Sequence, residues 1–291
     1  MTVAQRKPSS SGGGRLTKIA WSPDAWRCPT FRLYLRLFQY GFRRHATYRA
    51  ATFAGAFTNT VFGILRAYVL IALWQARPGL AGYDVADAVT FCFLTQGLLE
   101  PMRVFGGGLE LSERVRTGAI AIDLVRPAPL QPWVLAQDLG RAAYQLVVRG
   151  TAPMLAGAAL FGVVLPDGPL TWAAFAASVA IGVVVSFALR YLVALSSCWV
   201  LDDRGVQAVS LVATLFFSGM VVPLVIFPGW LGTLAQALPW AAIMQVPADV
   251  YLGKTDAAAA LGFQALWAAA LLALGALATR AARRKVIIQG G

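Results

Sequence analysis

The chain has 291 residues, is 58% hydrophobic and only 13% charged, and carries a formal net charge of +12. Soluble domains carry about 25% charged residues, so this composition excludes an ordinary soluble enzyme. Because the basic residues flank long apolar runs, the positive charge reads as membrane topology and anionic headgroups, and not as a nucleic-acid footprint.

Residues 1–28 read as a disordered cytoplasmic tail, polar and Gly/Ser-rich over Met1 to Gly14, with no apolar stretch of a signal peptide. From Pro29 to His45 the pattern is amphipathic. Arg32, Arg36, Gln39 and Arg43 recur at helical spacing, opposite Phe31, Tyr34, Leu35, Phe38 and Phe42. A basic stripe opposite an aromatic face predicts a helix lying in the membrane interface over 29–49. The opening turn of the first span is the alternative.

Residues 50–285 then read as one all-α membrane domain of six spans, each near the roughly 20 residues a crossing helix needs. The first span is Ala50 to Trp74, broken by Arg77-Pro78-Gly79. The second starts at Val85 and is expected to stay helical past Gly106-Gly107-Gly108 as far as Gly118, with Glu110 and Arg114 paired four residues apart. A cytoplasmic segment over Ala119 to Asp138 follows, closed by Pro127, Pro129 and Pro132. The third span is Leu139 to Leu165, with a turn at Pro166-Asp167-Gly168-Pro169. The fourth is Leu170 to Val200 and the fifth Val206 to Phe227, joined by Asp202-Asp203-Arg204-Gly205. Between Pro228 and Thr255 lie two apolar stretches of about ten residues split by Pro239 and Pro247, too short to cross. They predict a pair of re-entrant half-helices on the outer face, between spans five and six. The last span is Ala257 to Thr279, ended by Arg280, Arg283, Arg284 and Lys285, with a short cytoplasmic tail at 286–291.

Cytoplasmic loops retain Lys and Arg. Of the 25 such residues only Arg77 and Lys254 fall on the opposite set of connections, which places both termini in the cytoplasm. A charge at the bilayer centre costs about 2.5–3.5 kcal/mol on insertion scales, so intramembrane charges carry information. Arg103, Arg149 and Arg190 lie near the inner ends of their spans and are expected to snorkel. Arg66 and Glu100 lie deeper. Glu100 could pair with Arg103 on one helix face, and two readings stand for it: a polar interior or partner contact, or a structural ion pair.

Catalytic chemistry finds little support. Ala248 to Thr255 looks like a loosened phosphate loop, but it follows a proline rather than a strand. Asp202-Asp203 reads as a solvated turn in preference to a magnesium pair. Cys28, Cys92 and Cys198 are scattered and His45 is the single histidine, so neither a disulfide framework nor a metal site emerges. No internal repeat supports the inverted-repeat plan of secondary transporters.

Glu110 to Gly118, followed by Leu124-Val125-Arg126-Pro127-Ala128-Pro129, resembles the first cytoplasmic loop of ABC type-2 exporter permeases, in particular their daunorubicin-resistance-like bacterial branch. Pro223 to Leu231, continuing to Leu238-Pro239-Trp240, Pro247 and Gly253, is similar to that family's outer re-entrant segment. The resemblance implies a permease subunit of the bacterial inner membrane that exports a hydrophobic or amphipathic substrate. It implies no cofactor in this chain, with ATP and Mg on two copies of a separate cytoplasmic ATP-binding subunit, and a second permease, identical or sister chain. Arg116, Gly118, Ile120, Ile122, Leu124, Val125, Arg126 and Pro127 would then form the coupling helix seated in the ATPase. Pro223, Pro228, Trp230, Pro239, Trp240 and Pro247 would border the exit. The rival functions are an ion-coupled secondary transporter working through Glu100 and Arg66, and a membrane-embedded lipid-phosphate transferase using Asp202-Asp203.

Overall fold

The computed structural model describes residues 31–47, 49–105, 109–126, 128–200 and 203–289. The expectations for the tail 1–28, Pro29 and Thr30, Gly106 to Gly108, Pro127, Asp202 and Gly290 to Gly291 lie outside the described residues. In chain order the helices are α1 (Phe31–Ala46), α2 (Arg49–Ala76), α3 (Val85–Leu98), α4 (Leu111–Arg116), α5 (Ile120–Leu124), α6 (Leu130–Gln145), α7 (Thr151–Leu160), α8 (Pro169–Ser196), α9 (Arg204–Phe217), α10 (Gly229–Ala237), α11 (Gln245–Tyr251) and α12 (Ala257–Gln289). A π-helical segment, Leu146–Gly150, joins α6 to α7. Three helical stretches are long and apolar enough to cross a membrane: Thr52–Ala76, Pro169–Ser196 and Ala257–Lys285. Shorter apolar helices are Val85–Leu98 and Arg204–Phe217.

Helix α1 forms where the amphipathic pattern predicts it, but it uses a further face. Leu37 and Gly41 are buried, whereas Phe31, Leu35 and Phe42 on the aromatic side remain exposed. The buried face packs on α6 at backbone distance. A Cβ placed on Gly41 would sit 2.1 Å from the Gln137 carbonyl oxygen, and one on Gly140 would sit 2.0 Å from the Phe38 carbonyl oxygen. The two glycines let the helices touch, the small-residue device of membrane helix pairs, and Phe42 meets Tyr144 edge-on at 5.4 Å.

Helix α3 lies at the centre. It starts at a capping box in which Asp84 accepts from the Asp87 N–H at 2.7 Å and Asp87 accepts from the Asp84 N–H at 3.0 Å. Every residue from Asp87 to Leu98 is buried. The helix packs against α2, α7 and α11, and Phe91 and Phe93 join Leu70, Trp74 and Tyr251 in one apolar cluster. A second cluster unites Leu98, Met102, Val183, Ile243 and Leu271, and a third unites Leu111, Ile120, Leu124, Phe187, Tyr191 and Leu195.

Several boundaries differ from the sequence expectation, each for an identifiable reason. The second span does not continue to Gly118: α3 ends at Leu98 and turns follow through Phe105. Pro101 lacks an N–H and its ring opposes a helical carbonyl four residues earlier, and Arg103 takes a left-handed φ of 53°. Glu110 therefore does not pair with Arg114, and Glu100 and Arg103 do not share a helix face. The helix in the region expected as the third span begins earlier, at Leu130, and Pro132 sits in its first turn, where N–H groups lack partners anyway. It ends at Leu160, short of Leu165. Helix α8 stops at Ser196, short of Val200. Helix α9 stops at Phe217, ten residues before the expected Phe227, with Gly219 at φ 82° beyond it. Helix α12 runs through its basic cluster to Gln289 instead of closing at Thr279. Pro247 does not divide a helix but sits in the first turn of α11.

Replacing Gly140 by Leu should force α1 off α6. Overpacking a tight contact costs about 1–3 kcal/mol, so the purified variant should show a lower thermal unfolding midpoint in detergent, and Gly41→Leu the same direction of change.

Candidate functional site

The loop between α3 and α6 is built on a charged frame. Asp123, on α5, is buried, and two guanidinium groups converge on it. Arg114 donates to both its oxygens, Nη2 to Oδ1 at 2.8 Å, and Arg126 Nη1 lies 3.2 Å from Oδ1. Arg126 also stacks over Trp133, 5.5 Å from the ring centroid. Glu110 pairs across the chain with Arg44 of α1 at 2.5 Å, and that hydrogen-bonded guanidinium holds the Glu110 carboxyl below its usual range. Gly118, between α4 and α5, has a φ of 76°, a conformation few side-chain-bearing residues adopt.

This frame sorts the expected coupling residues into two sets. Ile120 and Leu124 are 2% and 8% exposed and point into the protein, against Leu111, Phe187 and Leu195. Ile122 and Val125 are 62% and 81% exposed. Arg116 is exposed and pairs with Glu113 at 2.5 Å, and Pro127 lies outside the described residues. The expectation that all four apolar residues face one groove is therefore corrected: on a one-and-a-half-turn helix they occupy opposite sides.

Below this loop lies a cluster that sequence reading missed. Asp138, on α6, is 3% exposed at its side chain and accepts from Arg141 at 2.8 Å and from Arg190 of α8 at 2.6 Å. The remaining N–H groups of Arg141 donate to the carbonyls of Glu100 at 2.7 Å and Pro101 at 2.9 Å. Ser186 Oγ donates to the Met102 carbonyl. Arg190, 12% exposed at its side chain, is thus held by a buried carboxylate. The available signal was Asp138 and Arg141, three apart, at the start of an apolar run.

Of the intramembrane residues singled out in the sequence, Glu100 pairs with Arg149 of the π segment at 3.0 Å. Arg66 donates to Thr95 Oγ1 at 2.9 Å and to the Val221 carbonyl at 3.0 Å, tying α2 to α3 and to the segment before α10. Arg103 sits at the break after α3. Asp203 accepts from Ser197 Oγ at 3.0 Å and Gln207 Nε2 at 2.7 Å, bridging the segment after α8 to α9, and the described residues hold no group of three metal-ligating side chains.

At the opposite end, Pro223, Pro239 and Pro247 are buried, Pro228 and Trp230 are exposed, and Trp240 packs on Phe217 at 6.2 Å. Gln245 organises them. Its Oε1 accepts from the Leu224 N–H at 2.8 Å, and its Nε2 donates to Asp249 at 2.9 and 3.0 Å. Tyr83 donates to the same carboxylate, and Lys254 pairs with Asp87 at 2.5 Å, so α11 and the segment before α10 are tied to the start of α3.

Removing one partner of a buried ion pair costs about 3–5 kcal/mol, because the other charge is stranded. Asp138→Ala should therefore reduce the yield of monodisperse protein sharply and lower its unfolding midpoint. Glu113→Ala, which removes an exposed pair worth at most about 1 kcal/mol, should leave both unchanged.

No curated protein matches the chain. Residues 60–290 match the family described as ABC-2 family transporter protein, a stretch that begins inside α2 and leaves α1 outside. The helices, the absence of strands among the described residues and this match over most of the length agree: the chain belongs to the ABC-2 transporter family, as a multi-pass membrane permease subunit whose family works with an ATP-binding subunit.

Proposed function

We propose that this permease is the membrane half of an ATP-driven exporter of hydrophobic or amphipathic substrates, and that α5 is where the ATP-binding subunit engages it. The observation that carries this reading is the division of α5. Ile122 and Val125 offer an exposed apolar knob beside Arg116 and Arg126, suited to a groove. Ile120 and Leu124, on the other side, anchor the knob in a core shared with α6, α8 and α12. Force applied to the exposed pair would reach α8 through Phe187, Tyr191 and Leu195. It would continue to α12 through the Tyr191–Thr279 hydrogen bond of 2.8 Å and to α6 through Leu130.

In this reading the membrane is crossed six times, by α2, α3, the α6–α7 run, α8, α9 and α12, with both termini and α5 in the cytoplasm. Helix α3 rises about 21 Å over its 14 residues, less than a bilayer core of about 30 Å. Burial of every residue from Asp87 to Leu98 makes that tolerable, since this stretch meets protein instead of lipid. Helices α10 and α11 form the outer re-entrant pair. A rotation of α8 and α12 driven from α5 would alter the pathway between two copies of the permease, or between this chain and a sister.

Ile122→Glu and Val125→Glu should each abolish stimulated ATP hydrolysis and co-purification of the ATP-binding subunit. A central interface residue contributes about 2 kcal/mol or more, roughly 30-fold in affinity. Both variants should remain monodisperse, whereas Ile120→Glu should not fold. Full ATPase stimulation in both exposed variants would remove the assignment.

A further inference from the structure

A cavity of about 480 Å³ lies between α1, the α4–α5 loop and α6, and its charge is unbalanced. Five guanidinium groups line it against three carboxylates, leaving two positive charges, with His45 besides. The imbalance follows from how the carboxylates are used. Arg114 and Arg126 both claim Asp123, Arg141 and the adjoining Arg190 both claim Asp138, and Arg44 pairs with Glu110. Arg103, in its left-handed conformation, adds a further guanidinium to the same wall. Burial first, and then the field of Arg141, Arg103 and Arg44, lowers the pKa of His45. Among the described residues that line it, the cavity thus holds more guanidinium groups than carboxylates.

The rest of the lining is apolar: Leu37, Leu109, Leu130, Val134 and the Trp133 ring. Tyr40 lines the cavity and is also 55% exposed, on the same helix that presents Phe31, Leu35 and Phe42 outward. Arginine forks match phosphate oxygens two at a time. An apolar wall beside them suits the carbon skeleton attached to that phosphate, which a free inorganic ion lacks.

We infer that this cavity is a binding site for the phosphate-bearing headgroup of an anionic amphiphile, taken from the lipid that borders α1. Arg126 and Arg44 are the contacts at its rim. Both are about half exposed and paired to carboxylates that water also reaches or that a second arginine holds, so a phosphate can recruit them without stranding a buried acid. The inference concerns binding alone and does not require α5 to be the contact for the ATP-binding subunit.

The test uses the delipidated full-length protein in detergent, with its thermal unfolding midpoint measured against added phosphatidylglycerol, phosphatidylcholine or inorganic phosphate. Phosphatidylglycerol should raise the midpoint by roughly 4 °C or more at saturation, and the other two should raise it far less. The double variant Arg44→Gln/Arg126→Gln should keep its unliganded midpoint, since Asp123 retains Arg114 and Glu110 is solvated, and should lose most of the shift. Arg280→Gln/Arg284→Gln, on the exposed face of α12, should keep it. Equal shifts with phosphatidylcholine, or a full shift in the cavity variant, would overturn the site. So would equal loss in the α12 variant, and an equal shift with inorganic phosphate would overturn the amphiphile as its occupant.

Discussion

One carboxylate, Asp138, holds two arginines in the apolar interior, and the arrangement of the central helices depends on it. Withdrawing ions from water is expensive, and a buried pair persists only when its remaining hydrogen-bonding groups are also satisfied. Here they are. Arg141 spends its other N–H groups on the carbonyls of Glu100 and Pro101, just past the end of α3, where backbone oxygens lack helical partners and a cation is favoured. Arg190 carries the same carboxylate to α8. The break after α3, the first half of the α6–α7 run and the last two turns of α8 are therefore held at one point. Helices α4 and α5, between α3 and α6, are held in addition by the apolar cluster with Phe187 and Tyr191 and by the Arg44–Glu110 pair.

The same device recurs at the other end of the bundle with different chemistry. Gln245 and Asp249 gather Tyr83 and the Leu224 N–H, while Lys254 reaches Asp87 and the Gly82 carbonyl at 3.2 Å. Gln264 of α12 donates to the Ala242 carbonyl at 2.8 Å, satisfying backbone that is fully buried yet outside any helix. Irregular backbone in an apolar setting needs such partners, and α10 and α11 can be short because side chains supply what a helix would. Between these two polar ends, α2, α3 and α7 meet through aromatic packing and the close approach of Gly97 to Gly150.

Much of this was legible in the chain. Apolar runs located α2, α8 and α12, the turn at Pro166 to Pro169 located the start of α8, and the spacing of Arg32, Arg36, Gln39 and Arg43 located α1. The motif around Glu110 to Pro129 pointed to the family that the match over residues 60–290 establishes. Other features were not legible. The end of α3 was hidden because Pro101 interrupts a run that stays apolar. The buried role of Asp138 was hidden because its second arginine lies 52 residues away. Local spacing paired Glu110 with Arg114 and Glu100 with Arg103; the folded chain pairs them with Arg44 and Arg149 instead.

The amino-acid order by itself determined that this is a helical membrane protein, because burial in lipid demands long apolar runs and leaves most charge in the connections, and its motifs carried the resemblance to the ABC-2 family. It also marked which apolar segments are shorter than a crossing helix needs. Only the tertiary structure decided which charges meet, which side of α5 faces outward, and where a positively charged cavity remains. Those depend on contacts between residues far apart in the chain, and periodicity along one helix carries no information about its neighbour's side chains.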